Sequence, residues 1–327
     1  MKAMLLDENR NFAWSDVETP KPNSDQVLIE IHACALNRAD LLQRAGTYPS
    51  PKGWPEWMGL ELAGKVIEMG EEAQKKSSLK VGDDVCALVG GGAYAEYTAV
   101  DYRLVMPVPK GMSYVEASSL PEAYATSYLN LFYEAHLEKG QTAYISAGAS
   151  GLASAAIPLA KAFGAKVVTS IIDESKRADV EKLGADVIVN TKTDSLADAF
   201  KKLEEEGSPV NVAMDCVAGE DLGKALPYMA EGGYWVLIST LSGTETNVLL
   251  RPVLTKGLHL VGSMLRKRSN DFKAKLLGDL TEKVWPLFSE GQLKTSVYKV
   301  LPITEAEQAH NILKNNQNTG KVVLTVR

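Results

Sequence analysis

The stretch Ser146-Ala147-Gly148-Ala149-Ser150-Gly151-Leu152-Ala153-Ser154 has the residue types needed to hold a pyrophosphate. An apolar run ends at Ala147, Gly148 and Gly151 follow, and an amphipathic helical pattern begins at once. Small residues let the main chain approach phosphates, while a helix N-terminus offers unpaired N–H groups and the positive end of its dipole. Ala153 stands where a third glycine often packs helix against strand, and alanine is tolerated there. Gly148, Ala149, Ser150, Gly151 and Leu152 therefore form a candidate dinucleotide cradle; the alternative is a tight turn without a ligand. Asp173 lies about 20 residues beyond Gly151, where an acid would bind the ribose 2′-hydroxyl of NAD. Lys176 and Arg177 could instead neutralise the 2′-phosphate of NADP. Asp173 or Ser175 could equally cap the next helix. These signals oppose each other; the balance tips slightly toward NADPH, with NADH still open.

Such a cradle needs a particular frame around it. From Gln141 onward, apolar segments at 142–147, 166–172, 186–190, 210–217, 234–239 and 258–262 alternate with helical stretches. That rhythm predicts an α/β fold with a Rossmann, doubly wound parallel sheet. Ligands bind beyond the carboxyl ends of strands in such sheets. Asp215, Cys216 and Val217 after the fourth strand, and Ser239 and Leu241 after the fifth, thus join the candidate cofactor set. In the helix after the first strand, Leu152, Ala155, Ala156, Leu159, Ala160 and Phe163 fall on one face. Gly164 supplies a stop, and Pro158 should bend the axis. The first third reads as strands joined by turns, with residues 71–80 a solvated loop. The tail begins with a helical stretch through Trp285. It ends in an apolar strand, Gly320-Lys321-Val322-Val323-Leu324-Thr325-Val326, expected to return to the first domain and make it discontinuous.

The 327 residues favour two domains, and 35 basic against 41 acidic residues leave a net charge of −6. An acidic surface repels phosphate backbones, so no nucleic-acid partner is expected. No run of about 18 apolar residues appears, so no membrane association is expected. No N-terminal signal segment is recognisable, and Cys34, Cys86 and Cys216 have no disulfide or metal spacing. A reducing, cytoplasmic setting is the default.

Several stretches together carry a family resemblance. They are Ala35-Leu36-Asn37-Arg38-Ala39-Asp40-Leu41-Leu42-Gln43-Arg44, Gly46-Thr47-Tyr48-Pro49, Gly59-Leu60-Glu61, Lys80-Val81-Gly82-Asp83, Leu120-Pro121-Glu122-Ala123-Tyr124, Ser263-Met264-Leu265-Arg266-Lys267-Arg268 and the terminal Gly320-Lys321-Val322-Val323-Leu324. The chain resembles the medium-chain dehydrogenase/reductase superfamily, specifically its zinc-free quinone oxidoreductases, and most of all the p53-inducible type. The resemblance implies a discontinuous, GroES-like, β-rich catalytic domain, residues 1–119 with 269–327. Beside it would stand the Rossmann domain, residues 120–268, with the active site in the cleft between. It also implies a homodimer, often through the Rossmann edge strand, for which residues 258–262 are the candidate.

Alcohol dehydrogenases of this superfamily hold a catalytic zinc with cysteine and histidine. Here the cysteine position resembles Asn37, the histidine is Leu60, and the third ligand, a cysteine near Pro121-Glu122-Ala123, is absent. The four-cysteine structural lobe is missing as well. His32, His136, His259 and His310 add no tetrahedral donor set at usable spacing. No zinc is expected, and no flavin is required. Without a Lewis acid, the acceptor should be one whose negative charge is delocalised, a quinone or an activated enone, oriented against the nicotinamide.

By resemblance, Tyr48 lines the quinone pocket from a loop and Asn37 donates to the substrate carbonyl or holds the nicotinamide ribose. Asp40 is either a further catalytic group or a helix cap, and a cap on the following helix is the other reading of Asn37 too. By the same resemblance Thr126, Met264, Leu265 and Arg266 are the expected surroundings of the nicotinamide and Tyr124 lies in the cleft, with a solvated basic loop the other reading of Arg266; Tyr124 and Lys321 are counted with the cofactor contacts. The sequence departs from the family at Ile172-Asp173, where Gly-Ser usually meets the 2′-phosphate, at Thr191, usually tyrosine, and at Ser239, usually glycine. Two other readings stand beside quinone reduction: a zinc-free enone or alkenal reductase, and a non-catalytic NADPH-keeping protein of the lens-crystallin kind.

Overall fold

The computed structural model describes all 327 residues, in two compact units: residues 1–125 with 266–327, and residues 126–265. The first unit begins with β1 (Lys2–Leu6), β2 (Phe12–Asp16), β3 (Gln26–Ala35), β4 (Glu61–Met69), β5 (Asp84–Leu88), β6 (Tyr97–Asp101) and β7 (Val105–Pro107). The second contains β8 (Thr142–Ile145), β9 (Lys166–Ile171), β10 (Val187–Asn190), β11 (Val210–Asp215), β12 (Met229–Leu237) and β13 (His259–Gly262). The chain then supplies β14 (Val297–Pro302) and β15 (Lys321–Thr325) to the first unit.

In the second unit all six strands are parallel, in the order β10-β9-β8-β11-β12-β13. Side-chain alternation divides its interior into two cores. Ala143, Ile145, Val167, Val212, Met214 and Val236 enter one; Tyr144, Val168, Ala213 and Trp235 enter the other with Phe200 and Leu203. The period of two along each strand thus buries both faces, as a doubly wound sheet requires.

The helix after β8, Ala153–Ala162, packs on the first core through Ala153, Ala156, Ile157 and Ala160. Ala155 and Leu159, on the face expected to be the apolar one, are buried too. The helix is therefore covered on more than one side, which is why a one-face reading captured it only partly. Gly164 takes φ +83° just beyond its end, a left-handed conformation that suits glycine.

The first unit is built on β3. Its first half pairs with β6, its last residues pair with β15, and β4 runs along its other edge, all antiparallel. The C-terminal strand is therefore hydrogen-bonded to a strand formed nearly 300 residues earlier. Residues 71–80, expected as a loop, contain the helix Glu71–Lys76. Its acids occupy the first turn and its lysines the last, matching the helix dipole, Ala73 is buried beneath it, and Glu72 and Ala73 donate to Ser24 O. No helix is long and apolar enough to cross a membrane.

Candidate active site

Around the cradle, Ser146 sits where β8 ends, Ala147 adopts φ +55°, and Gly148 N–H donates to Ser170 O at 2.7 Å. A Cβ on Gly148 would come within 2.5 Å of Thr169 Oγ1 and 3.1 Å of Val180 Cγ1. Only glycine fits there, for packing reasons. Ser150 accepts from Ala153 N–H and from Ser154 N–H. The N–H groups of Ala149, Gly151 and Leu152 meet no protein acceptor. Three orphan donors on a tight turn opening a ten-residue helix fit a pyrophosphate.

The neighbouring strand ends converge on this turn. Cys216 N–H donates to Ser146 Oγ at 2.8 Å, Leu241 N–H to Cys216 O, and Ser242 N–H to Val217 O. The structure therefore brings Cys216, Val217 and Leu241 beside the cradle. Asp215 is there as well, but buried, its carboxylate accepting from Val217 and Ala218 N–H and from Trp235 Nε1. Leu265 is buried and Met264 exposed.

At the end of β9, Asp173 accepts from Ser175 N–H at 3.0 Å and from Ser175 Oγ at 2.7 Å, capping the turn that follows. These bonds hold its carboxyl below the usual aspartate range. Arg177 pairs with Glu174 and donates to Ile188 O. Burial lowers the Lys176 ammonium, with Asp173 acting against it.

In the first unit, Asn37 is the N-cap of a helix, Arg38–Arg44, and Asp40 its third residue. Asp40 Oδ2 accepts from Asn37 N–H at 2.7 Å, and Oδ1 from Gly59 N–H at 3.1 Å. The carboxyl is 1% exposed, and burial raises it to about 6 against those two bonds and the charge of Lys321. Gly59 has φ +100°, and a Cβ there would strike Ala93 and Tyr94.

Behind Asn37 lies a closed ionic network. Lys321 Nζ reaches Glu61 Oε1 at 2.6 Å, Asn37 Oδ1 at 2.8 Å and Leu36 O at 2.8 Å. Asn37 Nδ2 donates to Glu61 Oε1 at 2.9 Å, and Glu122 N–H to Glu61 Oε2 at 2.8 Å. An ammonium has three donors, and all three of Lys321's are committed here. The Lys321 and Glu61 side chains are 4% and 0% exposed.

Tyr48 is half-buried on the loop after that helix, with the Arg266 guanidinium 4.5 Å above its ring. Burial raises its phenol, and the Arg266 charge opposes the rise. Tyr124 is buried edge-on to Phe288, its hydroxyl without a partner. Thr126 is half-buried, and its carbonyl accepts from Asn130 Nδ2.

Sequence reasoning missed Glu61 as a site residue; His310, expected at the surface or hydrogen-bonded, is buried with its Nε2 3.2 Å from the Tyr94 hydroxyl. The placement of Ala306, Ala309, His310 and Leu313 on one face of the helix Ala306–Lys314 was the available signal for His310.

Comparison with known proteins identifies the class. Residues 23–110 match the alcohol dehydrogenase GroES-like domain, and residues 151–282 match the family described as zinc-binding dehydrogenase. The chain belongs to the medium-chain dehydrogenase/reductase superfamily, and is an oxidoreductase of the kind that works with NAD(P)H. It is 29% identical over 312 residues to a quinone oxidoreductase-like protein 2 homolog of Nematostella vectensis, covering 94% of this chain and 84% of that one. To the quinone oxidoreductase of Mus musculus it is 28% identical, covering 95% and 92%. Among solved structures it is similar to the CurK enoyl reductase, with TM-score 0.85, 26% identity and 99% and 98% coverage.

The description of the second family implies zinc, and the residues present do not fit it. At the position resembling its cysteine ligand stands Asn37, bound to an ammonium; Leu60 is buried and apolar; of the two carboxylates here, Glu61 is already paired with Lys321 and Asp40 accepts from the Asn37 and Gly59 N–H groups. A divalent ion would meet a fixed cation and no thiolate or imidazole. No group of three or more His, Cys, Asp or Glu is arranged to hold a metal ion.

Proposed function

We infer that this chain reduces quinones with NADPH, without metal or flavin. The Asn37–Glu61–Lys321 network carries the reading. Its charges cancel internally, so it offers no Lewis acid to stabilise an alkoxide. An acceptor that delocalises the incoming negative charge is then required, and a quinone does so over its ring. Reduced nicotinamide supplies a hydride, two electrons and one proton. The quinone takes a second proton from water and leaves as the hydroquinone. The protein's part is to hold both reactants in line. Tyr48 donates its hydroxyl to the acceptor oxygen, and Asn37 uses its remaining amide hydrogen. Asp40 acts through position, tying the start of its helix to Gly59. Ala149, Gly151 and Leu152 N–H hold the pyrophosphate. The Lys176 and Arg177 cations beside the end of β9 favour NADPH, with Asp173 accepting from Ser175.

The test is purified protein with NADPH or NADH against 1,2-naphthoquinone, 1,4-benzoquinone and 2-hexenal. Quinone-dependent NADPH oxidation that survives chelation, in protein free of zinc by elemental analysis, is the expected result. No oxidation with any acceptor would sink the enzymatic reading. The second reading, an enone reductase, is favoured by the likeness to the enoyl reductase; a preference for 2-hexenal would select it.

We also infer a homodimer through β13. This strand ends its sheet, and Leu260 on it and Leu249, Leu250 and Leu254 before it are exposed. Unpaired apolar edges are rarely left to solvent. Sedimentation showing a monomer, or a Leu260→Lys variant with unchanged mass, would reject this assembly.

A further inference from the structure

The sequence resemblance places Arg266 beside the nicotinamide, yet its side chain is engaged with the loop that carries Tyr48. Arg266 Nε and Nη2 both donate to Gly90 O, at 3.0 and 2.5 Å. Nη2 also donates to Gln43 Oε1 at 3.1 Å, and Nη1 to Tyr48 O at 3.4 Å. The guanidinium plane covers the Tyr48 ring. The backbone of Arg266 is tied as well, since its carbonyl accepts from the buried Lys273 ammonium at 3.2 Å.

Gln43 bridges the two sides. While its oxygen takes Arg266, its Nε2 donates to Ser50 Oγ at 3.2 Å and to Glu56 O at 2.9 Å. The turn Gly90-Gly91-Gly92 is the seat on which the loop rests. A Cβ on Gly90 would lie 2.7 Å from Trp54 Nε1, and one on Gly91 would lie 2.6 Å from Ser50 Oγ. Gly92 takes φ +97° and accepts from Trp57 Nε1. Residues 46–57 are thus pinned at the Gln43 amide, at the glycine turn and by the guanidinium fork. Only a planar cation can bond two carbonyls and an amide while stacking on a ring.

We propose that Arg266 is a positioning residue for the acceptor, which clamps the Tyr48 loop onto the Gly90–Gly92 turn and so sets the affinity and orientation of the quinone. The proposal rests on the quinone-reductase reading. Lysine cannot replace arginine in this role, because an ammonium cannot stack and fork together.

The experiment compares wild type with Arg266→Lys, Arg266→Ala and Gln43→Ala, measuring kcat and KM for 1,4-benzoquinone and for NADPH, with hydrogen exchange of peptides spanning residues 46–57. The expected result is a rise of about tenfold in the quinone KM for Arg266→Ala, a tenfold change being the loss of one good interaction. The NADPH KM should stay within about twofold, and exchange of residues 46–57 should quicken. Arg266→Lys should fall short of rescue in both readouts. It also keeps the comparison open should the alanine variant not fold. A raised NADPH KM with unchanged quinone KM would overturn the proposal and return Arg266 to the cofactor. So would unchanged loop exchange. Were the wild type inactive with every quinone, the functional reading would fail, and so would the acceptor role; the exchange data alone would still decide whether the clamp exists.

Discussion

Replacing Lys321 with methionine tests whether the network behind Asn37 is held as an ion pair. The substitution roughly conserves the aliphatic stem and deletes the ammonium. Three acceptors lose their donor at once: Glu61 Oε1, Asn37 Oδ1 and Leu36 O. Glu61, fully buried, would retain only the Asn37 amide and the Glu122 N–H. Removing one partner of a buried pair leaves an uncompensated charge and costs about 3–5 kcal/mol, a large part of the ~5–15 kcal/mol that holds a typical domain together. Glu61→Gln should destabilise too, by leaving the ammonium with neutral acceptors only. The double variant, Lys321→Met with Glu61→Gln, removes both charges and should be more stable than the sum of the singles requires, with a coupling of ~2 kcal/mol. Urea unfolding of the four proteins at pH 7, extrapolated linearly with a common slope, measures each term. Single-variant losses below about 1 kcal/mol, or strict additivity, would refute the reasoning. The pair would then be no more than a surface-like contact, and the argument that a fixed cation stands against zinc would lose its basis.

Three further outcomes are expected. Folding raises Asp40 from 3.8 to about 6 and lowers His310 from 6.5 to about 3, so the Asp40 contribution is full below pH 3.8 and lost as pH rises through 6, while the His310 contribution is full above pH 6.5 and lost as pH falls toward 3. Each is worth ~3 kcal/mol between pH 7 and 4 and they oppose each other; Asp40→Asn should therefore lose more stability than wild type on acidification, and His310→Phe less, with parallel urea-stability profiles arguing against both. Lys176→Ala should lower the NADPH:NADH ratio of kcat/KM and Asp173→Ser should raise it; an unchanged ratio after Asp173→Ser would leave that residue as a cap alone. Gly148→Ala should destabilise by about 1–3 kcal/mol through overpacking, since its methyl would press on Thr169, whose hydroxyl is bound to Ile145 O; an unchanged urea midpoint would mean that Thr169 moves freely.

The parallel sheet was legible because its evidence is local. Each strand of the second unit announces itself by a short apolar run followed by a helical period, and the observed strands fall on those runs to within a few residues, except that β12 begins at Met229, before its apolar run. The cradle was legible for the same reason, since a turn of small residues between strand and helix is written in nine consecutive positions. What sequence could not reveal depends on distance along the chain. Lys321 and Glu61 are separated by 260 residues and meet only because β15 returns to pair with β3. The Arg266 clamp joins residues 176 and 223 positions apart. The charged segment 71–80 misled because charge alone reads as solvated loop, whereas its sign order suits a helix and Ala73 gives that helix an anchor.

The same long-range geometry narrows the chemistry. A lysine opposite Asn37 could, taken alone, polarise a substrate carbonyl much as a metal would. Here its three protons are spent on Leu36, Asn37 and Glu61, and its charge is matched by a carboxylate 2.6 Å away. Asn37 in turn gives one amide hydrogen to Glu61 and keeps one. The polar help left for an acceptor from this pair of segments is then one amide hydrogen and the Tyr48 hydroxyl, both neutral donors. A neutral hydrogen bond contributes about 1 kcal/mol, far less than the several kcal/mol by which a metal stabilises developing charge. A simple aldehyde or ketone, whose reduction gathers full charge on one oxygen, would be poorly served by such donors. An acceptor that carries its own charge delocalisation needs little more than to be oriented, and on the proposed reading orientation is the part of the Asp40 cap, the Gly59 turn and the Arg266 clamp.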